Sequence, residues 1–246
     1  MLISPDHKFI FFKSMKTASS SVEFSLLQIC GENALCVGGT PEEALQGYVA
    51  KNNTFVDDGF IVERFHSHAW PDLFYEQIAN PEFFKDYKKI TVVRNPWDAL
   101  VSWYWWGIYQ RAEDNAWLRI KENDSRDVAQ AKFKEFLNVK STHESIEKID
   151  EIVRTSPLWY LAEFNQKFIH DSIDFYLRFE NLQDEYFSLC EKLKIPMTRL
   201  SRFKSTQRKL KHHYSYYYTD ETMNMVKKQF QPLIKKFNYS FEENND

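Results

Sequence analysis

Residues 7–26 read HKFIFFKSMKTASSSVEFSL, and the fold follows from how this stretch changes character half-way. His7 to Ser14 (HKFIFFKS) is dense in aromatic and β-branched residues, as strands are, and a cluster of small polar residues follows it. In MKTASSSVEFSLLQIC, residues 15–30, Val22, Leu26 and Ile29 recur at helical spacing. The chain here runs strand, tight turn, helix.

The same order returns twice. Lys88 to Arg94 (KKITVVR) is a second strand ending at Asn95-Pro96, and from Pro96 a helix carries Trp97, Leu100, Val101 and Tyr104 at i, i+3, i+4 spacing. Ile173 to Phe179 (IDFYLRF) is a third strand, ahead of a helix from Leu182 to Leu193 that stops before Pro196. Further helices are expected from the capping box Thr40-Pro41-Glu42-Glu43 to Ala50, over about Asp127 to Val139, and from the Thr219-Asp220 cap to about Phe237. Arg111 to Asp127 reads as a charged loop. Strands alternating with helices imply βαβ crossovers, so the fold class is α/β, a mostly parallel sheet flanked by helices. No internal repeat or Gly/Ser-rich linker interrupts the chain, and a single domain over residues 1–246 is expected.

The composition bounds the function. Hydrophobic residues make up 43% and aromatic residues 17%, enough for a core without disulfide or metal staples. The net charge of −3 gives no global field for nucleic acid, so any anion site must be local. Cys30, Cys36 and Cys190 form no metal-ligand cluster and cannot all pair, which favours free thiols in a reducing compartment. Phe9 to Phe12 is too short for a signal segment or a membrane span. A soluble, cytoplasmic protein is the expectation, with no membrane or nucleic-acid partner and no metal.

In open α/β sheets, ligands sit outside the carboxyl ends of the strands. The turn Lys16-Thr17-Ala18-Ser19-Ser20-Ser21 offers a helix start, four hydroxyls and one ammonium, a suitable set for phosphate or sulfate. No glycine precedes Lys16 as a GxxxxGKS/T loop would require, which weakens a nucleoside-triphosphatase or kinase-like reading. A helix merely capped by serine is the plainer alternative. In the second turn, Arg94 ends a strand and Ser102 follows eight positions later on a helix, so guanidinium and hydroxyl can share a terminal phosphate. The plainer alternative pairs Arg94 with Asp98.

Together, KTASSSVE and VVRNPWDALVSWYWW closely resemble the two nucleotide-binding motifs of sulfotransferases that use 3′-phosphoadenosine 5′-phosphosulfate (PAPS), typically PKTGGTS or PKTASTS and VRNPWDRLVSxY. The closest flavour is the carbohydrate-type branch, similar to heparan sulfate 2-O-sulfotransferases and short bacterial homologues. The resemblance continues through residues 177–195 and 213–241 and is weakest over about 110–165. It implies a P-loop-like sulfotransferase fold in which residues 16–21 hold the 5′-phosphosulfate and Arg94 and Ser102 hold the 3′-phosphate. The reaction it implies is sulfuryl transfer to a hydroxyl of a saccharide or other small acceptor, with adenosine 3′,5′-bisphosphate (PAP) as product. Lys16 would stabilise the leaving phosphate.

The chain departs from the pattern at Met15 (usually Pro), at Ala18-Ser19 (usually Gly-Gly or Gly-Thr) and at Ala99 (usually Arg). Without glycine the first loop is expected to keep ordinary negative φ values. The Ala99 change is of little consequence if the family's Arg faces solvent. For the proton, Arg64 to Trp70 (RFHSHAW) places His66 and His68 on one face of an extended segment. His68-Ala69 matches the family's HAxxxEI context, so His68 is the first choice of base and His66 the second; Glu23 is a further candidate, and structural histidines are the plainer alternative. The basic run Arg199 to His213 reads as a loop over the 3′-phosphate with Lys204, Arg208 and Lys209 contributing, or as solvated charge. A non-catalytic module that kept the nucleotide pocket is the remaining rival.

Overall fold

The structure is a computed structural model that describes residues 1–30, 33–36, 56–57, 60–61, 67–78, 81–110, 116–144, 152–200, 208 and 210–243. The helix expected over 40–50 lies outside the described residues, as do His66, Lys204 and Lys209. Nine strands are described: β1 (Leu2–Ser4), β2 (Phe9–Phe12), β3 (Leu35–Cys36), β4 (Val56–Asp57), β5 (Phe60–Ile61), β6 (Lys88–Val93), β7 (Ser141–Glu144), β8 (Ile152–Thr155) and β9 (Phe175–Arg178). The described α-helices are α1 (Ser19–Leu27), α2 (Pro71–Gln77), α3 (Pro96–Gln110), α4 (Arg126–Asn138), α5 (Pro157–Gln166), α6 (Leu182–Leu193), α7 (Asp220–Gln229) and α8 (Gln231–Phe237). None of them is long and apolar enough to cross a membrane.

The chain groups into two compact units, each built from two separated stretches: Met1–Val93 with Lys167–Phe203, and Arg94–Gln166 with Lys204–Asp246. The first is an α/β unit around a five-stranded mixed sheet of order β3-β1-β2-β6-β9. The three strands read from sequence are its parallel part, β2 with β6 and β6 with β9. The other two were not anticipated: β1 pairs antiparallel with both β2 and β3.

Alternation along the strands divides the side chains between the two faces of this sheet. Phe9 and Phe11 of β2 and Ile90 and Val92 of β6 join Val22 and Leu26 of α1 and Tyr186, Leu189 and Cys190 of α6 in one buried cluster. On the opposite face Phe12 meets Phe74 of α2 edge-on at 5.6 Å, and Phe74 in turn meets Phe84 at 5.3 Å. Five of the six residues of β6 are buried, as a central parallel strand requires.

The second unit is mostly helical, with the β7–β8 hairpin, and its core is aromatic. Tyr104 of α3 packs edge-on against Phe133 and Phe136 of α4 at 5.7 and 5.2 Å. Its hydroxyl is satisfied by donating to the Leu118 carbonyl at 2.6 Å. Tyr214, Tyr217 and Tyr218, which follow the basic run, are buried here as packing residues. Ala99 is only 1% exposed, so this position faces the interior rather than solvent, and the condition under which the change from Arg is of little consequence is not met in this chain.

Candidate active site

The first turn leaves β2 and enters α1 within six residues, and two of those six have positive φ. Lys16 has φ 60° and Ala18 φ 62°, ψ 19°, both left-handed, while Thr17 between them is not. The expectation of ordinary φ values is therefore wrong. The reversals are fixed by side chains pinned to the core rather than by glycine. Ser14 Oγ donates to the Val92 carbonyl at 2.5 Å, so the 2.7 Å contact between Ser14 Oγ and Thr17 Oγ1 is donated by Thr17. Ser19 Oγ donates back to the Ser14 carbonyl at 2.6 Å. Alternating φ signs turn successive backbone N–H groups toward one concave side, the arrangement of an anion nest.

The four hydroxyls do not all serve that concavity. Those of Thr17 and Ser19 are buried and turned to Ser14. Ser21 is buried as well, while Ser20, Lys16 and Ala18 are partly exposed. The N-cap residue of α1, Ala18, supplies no side-chain cap, so backbone groups at the helix start present the positive end of the dipole. Thr17, Ala18 and Ser19 can thus serve an anion through their amides, Lys16 through its ammonium.

His68 sits beside this loop. Its Nδ1 lies 2.6 Å from the Lys13 carbonyl. A carbonyl only accepts, so Nδ1 carries the hydrogen, and in the neutral ring the basic nitrogen is Nε2. Ser67 and His68 lie in a turn, not in the extended segment expected. The turn is held where the Met1 amine donates to the Ser67 carbonyl at 2.6 Å.

Glu23 has another fate. It is fully buried, and its two oxygens receive the Met1 amine at 2.8 Å and Lys13 Nζ at 2.6 Å. Burial pushes its pKa up, but the Met1 amine and Lys13 outweigh that and hold it below the usual carboxylate range. A carboxylate stabilised in its charged form by two ammonium groups is a poor proton acceptor. Lys13 and Ser14, which organise the loop, were not singled out from sequence; their only signal is their place directly after the last apolar residue of the strand.

In the second unit, Arg94 takes up the plainer alternative as well as its place in the motif. Its Nε and Nη2 both donate to Asp98 Oδ2, at 2.8 and 2.6 Å. Arg208 Nη1 donates to the other oxygen of Asp98 at 3.2 Å. Ser102 is half-buried one turn beyond Asp98 on the same face of α3. The following Asn95 fixes the turn: its Oδ1 accepts from Trp97 N at 3.1 Å and its Nδ2 donates to the Ser240 carbonyl at 3.1 Å. Arg208 Nη2 donates to the His212 carbonyl, whereas its buried Nε has no hydrogen-bond partner among the described residues. Such a group costs about 1–3 kcal/mol, which is a reason to look for an anion there.

A protein-family model described as the sulfotransferase family matches residues 1–240. The chain belongs to the sulfotransferase family. No curated protein and no solved structure matches it. In this family member the two motif turns follow neighbouring parallel strands, β2 and β6; the first carries Lys16 and the backbone N–H groups of a helix start, the second Arg94 paired with Asp98. Among the described residues no group of three or more His, Cys, Asp or Glu could hold a metal ion.

Proposed function

We propose that the chain transfers a sulfuryl group from PAPS to a hydroxyl of a saccharide or another small acceptor. The observation that carries this reading is the left-handed loop at residues 16–18 with His68 hydrogen-bonded to its Lys13 carbonyl. An anion nest and an oriented base thereby lie within one short network. At the other motif, the buried unpartnered Nε of Arg208 supports a ligand with a further phosphate. When bound, PAPS supplies the sulfuryl group and departs as the bisphosphate.

Each residue then has one task. The amides of Thr17, Ala18 and Ser19 hold the 5′ end, with Ser20 contributing its hydroxyl and Ser21, whose amide donates to the Ala18 carbonyl, closing the first turn of the helix behind them. Arg94, Ser102 and Arg208, with Lys204 and Lys209, hold the 3′-phosphate. His68 accepts the proton of the attacking hydroxyl at Nε2, its ring orientation set through Nδ1–H. Lys16 offsets the charge that grows on the oxygen left behind as its bond to sulfur breaks, an electrostatic contribution made mainly in the transition state. His66 is assigned to acceptor orientation. Cys30, Cys36 and Cys190 are not disulfide-bonded, which supports a reducing cytoplasmic setting.

The test is transfer of labelled sulfate from PAPS to a panel of saccharide hydroxyls. His68→Ala is expected to lose ~10²- to 10⁴-fold in kcat/KM while binding the bisphosphate as wild type does. Lys16→Ala is expected to lower kcat by ~10²-fold or more, and to weaken bisphosphate binding by less. Bisphosphate binding with no transfer to any acceptor would establish a non-catalytic module. Tight binding of magnesium ATP without the bisphosphate would establish a kinase-like enzyme.

A further inference from the structure

Asp98 is placed between two guanidinium groups, and it serves them with different oxygens. Oδ2 accepts from Arg94 Nε and Nη2 at 2.8 and 2.6 Å, and Oδ1 accepts from Arg208 Nη1 at 3.2 Å. The group is sheltered: the side chains of Arg94, Asp98 and Arg208 are 10%, 15% and 27% exposed. Among the described residues, two cations on one carboxylate leave one surplus positive charge, in a place where water screens it weakly. Arg208 is further fixed by donating to the His212 carbonyl and by lying 5.8 Å from the Tyr217 ring centroid. Its buried Nε finds no acceptor among the described residues.

We propose that Asp98 is a positioning residue that locks Arg94 and Arg208 into one pair, and that this pair selects nucleotides carrying a phosphate monoester at the 3′ position. Two unscreened guanidiniums repel one another. A carboxylate that gives one oxygen to each holds them side by side and fixes both planes. Selectivity then comes from geometry, since a fork aimed in advance loses less on binding than one that must be ordered. The inference rests on the proposed donor.

Simple charge balance makes the opposite prediction, which is what renders the idea testable. If Asp98 only competed with the ligand for the arginines, removing its charge would raise the surplus from one to two and tighten phosphate binding. The positioning role requires weaker binding instead. Wild type, Asp98→Asn and Asp98→Glu are titrated calorimetrically with adenosine 3′,5′-bisphosphate and with 5′-AMP. Asp98→Asn is expected to weaken the bisphosphate by ~10- to 100-fold, as for losing hydrogen bonds that involve charged groups, and to leave 5′-AMP unchanged. In turnover, KM for the donor rises while kcat at saturating donor is retained.

Asp98→Glu keeps the net charge and moves the carboxylate by one methylene, so it covers the case in which the asparagine variant does not fold. Positioning predicts that it too loses most of the preference for the bisphosphate; an undiminished preference overturns the proposal. Equal or tighter bisphosphate binding in Asp98→Asn also overturns it, as do equal losses for both nucleotides. A wild type that binds both nucleotides equally overturns the donor reading itself, and the selection ascribed to the pair with it.

Discussion

At the scale of the residue, the left-handed loop is the feature with the clearest energetic signature. An L-residue in this conformation costs about 1–2 kcal/mol, and Ala18 has no polar side chain to offset it. Glycine relieves that cost but gives back about 0.5–1 kcal/mol through the freedom it adds to the unfolded chain. Ala18→Gly is therefore expected to raise stability by up to about 1 kcal/mol, and Ala18→Val to lower it. The midpoint of urea unfolding at unchanged slope measures both; a glycine variant no more stable than wild type would show that position 18 is unstrained. The strain itself was not legible in the sequence. Lys16, Thr17 and Ala18 contain no glycine signal, and their φ signs are imposed by Ser14 and Ser19 bonds that reach the core. The positions of Lys16 and Arg94 in the fold were legible, because strand ends and helix starts place them; His68 stood out only by its family-like HA context, and the turn that carries it was not legible. The Arg94–Asp98 pair was legible too, as the plainer alternative for Arg94; the Lys13 carbonyl that receives His68 is a fact of folding.

At the scale of the element, the sequence speaks where a segment is long and uniformly patterned. β2 and β6, the places of the turns after them and α6 were readable because buried parallel strands are continuous apolar runs closed by polar turns, and the half-buried edge strand β9 was readable from its aromatic and β-branched residues. β1 and β3 are three and two residues long, too short for any periodicity, and gain their identity from pairing with neighbours. α2 and α5 each begin at a proline, Pro71 and Pro157, a start signal that is weak without a clear apolar stripe. The single helix expected after Thr219 is two, α7 and α8, broken at Phe230. Pro232 has no N–H to continue a helix and sits comfortably in a first turn instead. The cap itself was placed correctly. Thr219 Oγ1 accepts from Thr222 N at 3.3 Å, and Thr222 Oγ1 accepts from Thr219 N at 2.9 Å. Thr219→Ala breaks that reciprocal pair and is expected to cost about 1 kcal/mol, read as a lower unfolding midpoint with the slope unchanged.

At the scale of the whole molecule, acid stability is tied to one buried carboxylate. Glu23 of α1 lies between the Met1 amine and Lys13, at 0% exposure. Removing one partner of such a group leaves the others charged and buried, so Glu23→Gln is expected to cost about 3–5 kcal/mol near neutral pH. The pH dependence has a definite sign. Folding holds the Glu23 pKa below its ordinary 4.5, so between the lowered value and 4.5 the unfolded chain binds the extra proton. Stability then rises with pH across that window, is complete above it, and is lost as pH falls through it. Glutamine takes up no proton there. Other carboxylates give both proteins an acid limb, so the informative quantity is the difference between their stability curves, measured by urea unfolding from pH 7 down to pH 3. That difference is expected to stay constant at the upper end and to narrow below pH 4.5. A difference that does not change with pH would mean that Glu23 is not ionised against Lys13 in the folded protein. The same variant also reports on the base, since Lys13 carries the carbonyl that orients His68: where the protein stays folded, kcat is expected to fall as that carbonyl loses its anchor, while bisphosphate affinity changes less.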